Sequence, residues 1–234
     1  MYLKFYQIEK PDRVTGKLLD DYLERGWYRV GPLIMTTDFI EYEGSYVPVF
    51  WIRLNLQQYR LSTASSRILR QNQGFSIEIA KSAFTEEVEA LYTGYRLGIS
   101  FPVPPTAREY LLDVTEHEVY DTKMILVRDN GKLIAAGFFD EGHHSLAGIL
   151  NIFDPAYKKY SLGKLLILRK IEYAIQTGRS HYYPGYVSSR ISKFDYKLFP
   201  DLAATEVLLP YSRNWYPYAP IGKQGLEGIL INGE

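Results

Sequence analysis

The stretch Met124-Ile125-Leu126-Val127-Arg128-Asp129-Asn130-Gly131-Lys132-Leu133-Ile134-Ala135-Ala136-Gly137-Phe138-Phe139 carries the clearest structural instruction in the chain. Residues 124–128 and 132–139 are β-forming runs, and Asn-Gly between two such runs is the strongest short signal for a hairpin. A second turn over 140–143 leads into the run 144–153, so the reading is a three-stranded antiparallel meander. Asp154-Pro155 closes it. A helix over 161–176 follows, with Leu162, Leu165, Leu166, Leu168, Ile171 and Ile175 as its apolar stripe and Gly178 as its stop.

Upstream, a helix is expected over 85–97. Thr85 can cap it, Glu86 and Glu87 suit its positive end, and Val88, Leu91, Tyr92 and Tyr95 form one face before Gly98. A Pro-rich loop over 101–106 comes next. Nearer the start, a short helix over 17–25 ends at Gly26. Strand-like runs follow over 27–30, 33–37 and 47–56, then a short helix over 65–71 leading to Asn72. Pro48 cannot donate to a ladder, so its end of the third run belongs at a sheet edge. Beyond the long helix, a strand over 181–183, a loop, a helix over 188–196 and a strand over 205–209 precede a Pro/Gly/Tyr-rich tail expected to wrap the surface. This order is α+β and resembles an acetyltransferase-like (GNAT) core. The expected organisation is a small β-rich N-terminal segment over 1–75 and a GNAT-like catalytic domain over 76–234.

The 234 residues include no cysteine, which excludes disulfides, Cys-ligated zinc, iron–sulfur clusters and thiol catalysis. With four histidines a His-built metal site is not expected, and His143-His144 reads as a surface turn. No apolar run reaches membrane-spanning length and the start, MYLKFYQIEK, is no signal peptide, so the cytoplasm is the default compartment. Tyrosine is abundant at 21 copies, supplying flat surface that stacks and hydrogen-bonds. Net charge is zero but segregated. No acid lies between Glu43 and Glu78, where Arg53, Arg60, Arg67 and Arg70 fall. None lies from Pro155 to Ile171, which holds Lys158, Lys159, Lys164, Arg169 and Lys170. A local basic face is therefore expected.

Three segments could carry chemistry. Tyr157-Lys158-Lys159-Tyr160-Ser161-Leu162-Gly163 joins a strand to a helix N-terminus, where free N–H groups and the helix dipole favour a phosphate. It resembles a degenerate GNAT phosphate loop, with Lys158 at the basic position, Ser161 for the first Gly and Gly163 matching the last; a helix start with solvated lysines is the other reading. The aromatics of His181-Tyr182-Tyr183-Pro184-Gly185-Tyr186 could stack an adenine or a peptide terminus, or simply close the core. Arg67 and Arg70 share a helix face and suit a carboxylate or a phosphate, or simply form a solvated basic helix. No Ser–His–Asp or paired-carboxylate spacing stands out.

Several segments together resemble the arginyl-/leucyl-tRNA–protein transferase family. They are Gly26-Trp27-Tyr28-Arg29 with Thr36-Thr37-Asp38-Phe39; Pro48-Val49-Phe50-Trp51-Ile52-Arg53; Tyr59-Arg60-Leu61-Ser62 through Arg67-Ile68-Leu69-Arg70-Gln71-Asn72; Phe153-Asp154-Pro155 with Tyr160-Ser161-Leu162-Gly163; and Tyr182-Tyr183-Pro184-Gly185-Tyr186 with Lys193-Phe194-Asp195-Tyr196-Lys197-Leu198. The resemblance implies a GNAT-like domain, charged tRNA as co-substrate with no further cofactor, and protein N-termini beginning with Asp or Glu as acceptors, which the N-degron pathway then marks for proteolysis. It implies that Lys158, Lys159, Ser161 and Gly163 hold the tRNA end. Arg67, Arg70, Asn72, Tyr183 and Lys193 would meet the acceptor. Asn151, Asp154 and Tyr186 become the candidate catalytic residues. The cysteine-rich N-terminal motif of many members is absent. A GNAT acyltransferase using acetyl-CoA, and a non-catalytic N-degron or tRNA-binding protein, are the competing readings.

Overall fold

The computed structural model describes residues 6–99, 102–113 and 117–232. It opens with β1 (Gln7–Glu9), α1 (Gly16–Glu24), β2 (Tyr28–Val30) and β3 (Leu33–Thr36), the strands pairing antiparallel in the order β1-β3-β2. β4 (Phe39–Tyr42) and β5 (Ser45–Pro48) form a separate hairpin. Next come β6 (Phe50–Asn55), α2 (Thr63–Gln71), β7 (Ser76–Lys81), α3 (Glu86–Arg96) and α4 (Ala107–Leu112). The expected meander follows as β8 (Thr122–Asp129), β9 (Lys132–Glu141) and β10 (Ser145–Phe153). A 3-10 turn over Pro155–Tyr160 leads into α5 (Leu162–Gln176) and β11 (His181–Val187). A second 3-10 turn over Ser192–Lys197, then β12 (Thr205–Leu208), β13 (Trp215–Pro217) and α6 (Tyr218–Asn232), complete the order.

The main sheet has the order β13-β12-β6-β11-β10-β9-β8-β7. On one face Leu162, Leu165, Leu166 and Ile171 of α5 pack against Ile125, Ala135, Phe139 and Leu146. On the other, Val88, Leu91 and Tyr92 of α3 and Leu111 of α4 cover Met124, Phe138 and Ile152. Each such buried side chain is worth about 1.5–3 kcal/mol. A buried polar knot joins β2 to this sheet. Arg29 Nη1 donates to Asp140 Oδ1 and Thr122 Oγ1, both at 2.7 Å, and Nη2 donates to the Leu111 carbonyl at 2.6 Å.

Several expectations change. The run 47–56 is not one strand. Pro48 ends the β4–β5 hairpin, where its missing N–H costs nothing, and Phe50–Asn55 sits between β12 and β11 inside the sheet. The strand expected over 181–183 continues through Pro184 and Gly185 to Val187, so the expected aromatic loop is strand. A register shift between Tyr182 and Gly185 absorbs the proline, and Gly185 takes a φ of 102° that other residues resist. The helix expected over 188–196 is the 3-10 turn Ser192–Lys197, because Ser188 Oγ donates to the Pro48 carbonyl (2.7 Å) and Ser189 Oγ to Glu227 (2.6 Å), holding the preceding chain extended. The tail forms β13 and α6 and buries Tyr218 and Leu226, rather than only wrapping the surface. Phe101, in the Pro-rich loop, lies outside the described residues.

Candidate active site

β10 and β11 run parallel but pair only through Ser145–His181, Leu146–Tyr182 and Ala147–Tyr183, then diverge. A register shift between Gly148 and Leu150 bends β10 at this point. Tyr28 fills the opening wedge, its Oη lying 2.5 Å from the Gly148 carbonyl oxygen and 3.0 Å from that of Tyr183. α5 begins beyond the far end of β10. Its N-cap, Ser161, has a φ of 54° and gives no side-chain cap, so the first N–H groups of the helix have no such partner.

Beside that helix start lies a cleft of about 610 Å³ lined by Arg67 and Arg70 of α2 and by Lys159, Ser161 and Lys164. Local contacts bring the two distant segments together. Gln71 Nε2 donates to the Lys159 carbonyl at 2.9 Å and Asn72 Nδ2 to the Tyr160 carbonyl at 3.0 Å. Ser62 caps α2 by accepting from the Ser65 N–H at 3.1 Å, fixing where Arg67 and Arg70 point. Among the described residues no carboxylate forms an ion pair with Arg67, Arg70, Lys159 or Lys164. Four cations around one hollow, without an ion-paired carboxylate among the described residues, give it a positive potential that favours an anion.

A second feature flanks the wedge. Trp51 stacks on Tyr28 with ring centroids 5.5 Å apart and meets Tyr186 edge-on at 5.3 Å, and Tyr186 meets Phe194 at 5.2 Å. The phenols of Tyr28, Tyr95, Tyr186 and Tyr196 all lie within electrostatic reach of Tyr110, and burial raises the pKa of each above the ordinary phenol value. Lys197 enters this aromatic patch, its Nζ 4.6 Å from the Tyr186 ring centre and 4.9 Å from that of Phe194. Nζ donates to the Tyr186 carbonyl at 2.7 Å, and burial pulls the lysine down to about 7. Tyr95 touches Phe153 at 5.1 Å, and Phe153 packs on Gly163, linking patch and cleft.

The residues expected from sequence divide between these features. Arg67, Arg70, Lys159 and Ser161 line the cleft together, and Gly163 lies in the first turn of α5 behind it. Lys158 is exposed and is not among the cleft's lining residues. Asn72 is buried and ties α2 to the 3-10 turn through the Ile68 and Tyr160 carbonyls. Tyr186 lines the aromatic patch, whereas the Tyr183 hydroxyl sits 3.3 Å from both Arg53 and Glu24, against Trp215. Asn151 Oδ1 accepts from the buried Lys170 at 2.8 Å. Asp154 caps the first 3-10 turn through the Ala156 N–H (2.9 Å) and pairs with Lys132 at 2.7 Å, which holds its carboxyl below the usual range. Lys193 is exposed on the second 3-10 turn. Sequence reasoning missed Lys164 as a cleft residue, Tyr28 as the wedge and Lys197. The available signals were the acid-free run holding Lys164 and the Lys193–Lys197 segment.

A sheet split beside a helix that starts at the split defines a GNAT-like transferase fold. A crystal structure of FemX shares it, with a TM-score of 0.50 at 10% identity over 87% of this chain and 69% of that one. The family described as "Arginine-tRNA-protein transferase, C terminus" matches residues 76–200, and the chain belongs to it. Among similar proteins, the aspartate/glutamate leucyltransferase of Chromohalobacter salexigens is 29% identical, covering 73% of this chain and 69% of that protein. The protein of the same name from Helicobacter hepaticus is 27% identical, with 74% and 72% covered. Among the described residues no helix is long and apolar enough to cross a membrane.

Proposed function

We propose that the protein is an aminoacyltransferase that moves leucine or arginine from charged tRNA to the N-terminus of proteins beginning with Asp or Glu. The observation that carries this reading is the cation cleft at the start of α5, built by Arg67, Arg70, Lys159 and Lys164 from two segments far apart in sequence. Its content suits a run of phosphates at an RNA 3′ end. Arg67 and Arg70, expected at the acceptor's acidic side chain, fit the RNA better in this position. The family membership and the names of the relatives supply the substrates.

The chemistry asks little of side chains. The acceptor's α-amine has a pKa of about 8, so a usable fraction is neutral near pH 7. The neutral amine attacks the ester carbonyl carbon. A C–N bond forms, the ester C–O bond to the terminal ribose breaks, the nitrogen loses a proton and the ribose oxygen gains one. The protein orients the two reactants and removes water around them. The register shift in β10 skips Ile149, and its backbone N–H is the candidate donor to the oxyanion. No cofactor beyond the charged tRNA is required, and the reaction belongs where tRNA is charged, in the cytoplasm.

The test is incubation with leucyl- or arginyl-tRNA and a peptide beginning with Asp. A peptide mass gain that depends on the tRNA supports the reading. No gain with either tRNA removes it.

A further inference from the structure

We infer that Lys197 is the residue that distinguishes an acidic acceptor N-terminus from its amide counterpart, by pairing with the Asp or Glu side-chain carboxylate. This rests on the transferase reading above.

Lys197 is held among aromatic rings rather than by a carboxylate. Arg13, Arg29, Arg53, Lys81, Lys123, Arg128, Lys132, Arg169, Arg179, Arg190, Arg213 and Lys223 each have a carboxylate within ion-pair distance. Lys197 has none among the described residues, and nothing but burial moves its pKa. Its neighbours are the rings of Tyr186, Phe194 and Tyr196 and one backbone carbonyl. An ammonium has three donors, so two remain for a ligand. Gly185 lies against the ammonium, where a Cβ would stand 3.4 Å from Nζ. Burial leaves Lys197 partly deprotonated near pH 7, and a carboxylate arriving beside Nζ favours its charged form again.

The reaction itself limits which anion that is. The transferred amino acid has its carboxyl tied up as the ester and brings no carboxylate. The RNA phosphates are met by the four-cation cleft at the start of α5. The acceptor's first side chain is the remaining carboxylate near the reacting amine. Lys197 lies on the aromatic wall that runs from the β10–β11 wedge through Tyr28, Trp51 and Tyr186. A peptide N-terminus lying beside the Tyr28-filled wedge would place its first side chain against this wall.

The experiment compares Lys197→Met with the unaltered protein, using peptides identical except for a first residue of Asp, Asn, Glu or Gln. Methionine keeps the apolar stem in the aromatic patch and removes the charge. The reading is the Asp/Asn and Glu/Gln ratios of kcat/KM, with tRNA affinity measured alongside. The unaltered protein prefers the acids, and the variant's preference falls about 10- to 100-fold, as for loss of a charged hydrogen bond, with tRNA affinity unchanged. Ratios within twofold of the unaltered protein overturn the inference. So does an equal loss for all four peptides with weakened tRNA binding, which assigns Lys197 to the RNA. If the Met variant does not fold, Lys197→Gln is read on the same ratios. Absence of transfer by the unaltered protein to any of these peptides removes the transferase reading instead, so the two failures are distinct.

Discussion

Replacing Arg67 and Arg70 with alanine tests the cleft quantitatively. Both side chains are exposed on α2, neither has an ion-pair partner among the described residues, and alanine is a good helix former. The helix keeps its Ser62 cap and its Gln71 and Asn72 ties, so its fold is unaffected. Each phosphate neutralised releases condensed counterions, giving a slope in log K against log salt of about 0.7 for single strands and 0.9 for duplex. Four cations, Arg67, Arg70, Lys159 and Lys164, therefore set a slope of roughly 3 to 4. Raising salt from about 50 to 200 mM weakens binding about 60-fold at a slope of 3. Removing two cations halves the slope, and the same salt change then weakens binding about 8-fold. The assay is fluorescence anisotropy of labelled tRNA across that salt range. Lys132→Ala serves as control, because Lys132 is paired with Asp154 outside the cleft. A steep slope that is identical in the unaltered protein and in Arg67→Ala/Arg70→Ala refutes the argument and puts the RNA on another face.

Three further outcomes follow from burial and backbone. Arg29→Met strands Asp140 without its partner in the core and costs about 3–5 kcal/mol in urea unfolding, part of which Arg29→Met/Asp140→Asn recovers. An Arg29→Met protein as stable as the parent contradicts the buried pair. Gly185→Ala forces a Cβ into a φ of 102° and lowers stability by about 1–3 kcal/mol; an unchanged urea midpoint means the bulge at 182–185 is not as described. Burial holds Lys170 at about 7, well under its unfolded value, with Asp140 opposing the shift. The unfolded chain then binds more protons between pH 7 and 10, so stability rises with pH across that window. Lys197 contributes with the same sign, and Lys170→Met flattens the rise without abolishing it. An equal slope in parent and variant, measured below pH 9.5 to stay clear of tyrosine ionisation, excludes a neutral buried Lys170.

What the sequence made legible was local. The Asp129-Asn130-Gly131 turn carries its own dihedral instructions, Asn130 at φ 47° and Gly131 at 87°, so the meander follows from a few adjacent residues. Thr85 caps α3 through the Val88 N–H at 3.4 Å for the same reason. The cleft was half legible, because charge segregation marked Arg67, Arg70 and Lys159 as basic without saying that Gln71 and Asn72 would tie their segments together. The run 47–56 was read as one strand because its β-forming residues are continuous, while the chain hands over from one sheet to another at Val49, whose N–H donates to the Asp38 carbonyl at 3.0 Å. Lys197 was invisible because nothing local separates it from Lys193. The rings that enclose it come from Tyr186 as well as from its own turn.

The placements of Asn151 and Asp154 bear directly on how the transfer is driven. Both were the nearest polar candidates for orienting the amine, since both stand at the end of the meander. Asn151 instead receives Lys170, and Asp154 caps a turn and pairs with Lys132. A residue already engaged in this way could act as a base only by giving up those contacts, and Asp154, held below the usual carboxyl range, is a poor proton acceptor near pH 7. In the proposed reaction the proton that nitrogen loses is balanced by the one the ribose oxygen gains, so no net base is consumed. Catalysis then comes from bringing two ends together. In the proposed arrangement the RNA meets four cations beside α5 and the acceptor meets the aromatic wall at the wedge, and Phe153, packed between Gly163 and Tyr95, connects the two features.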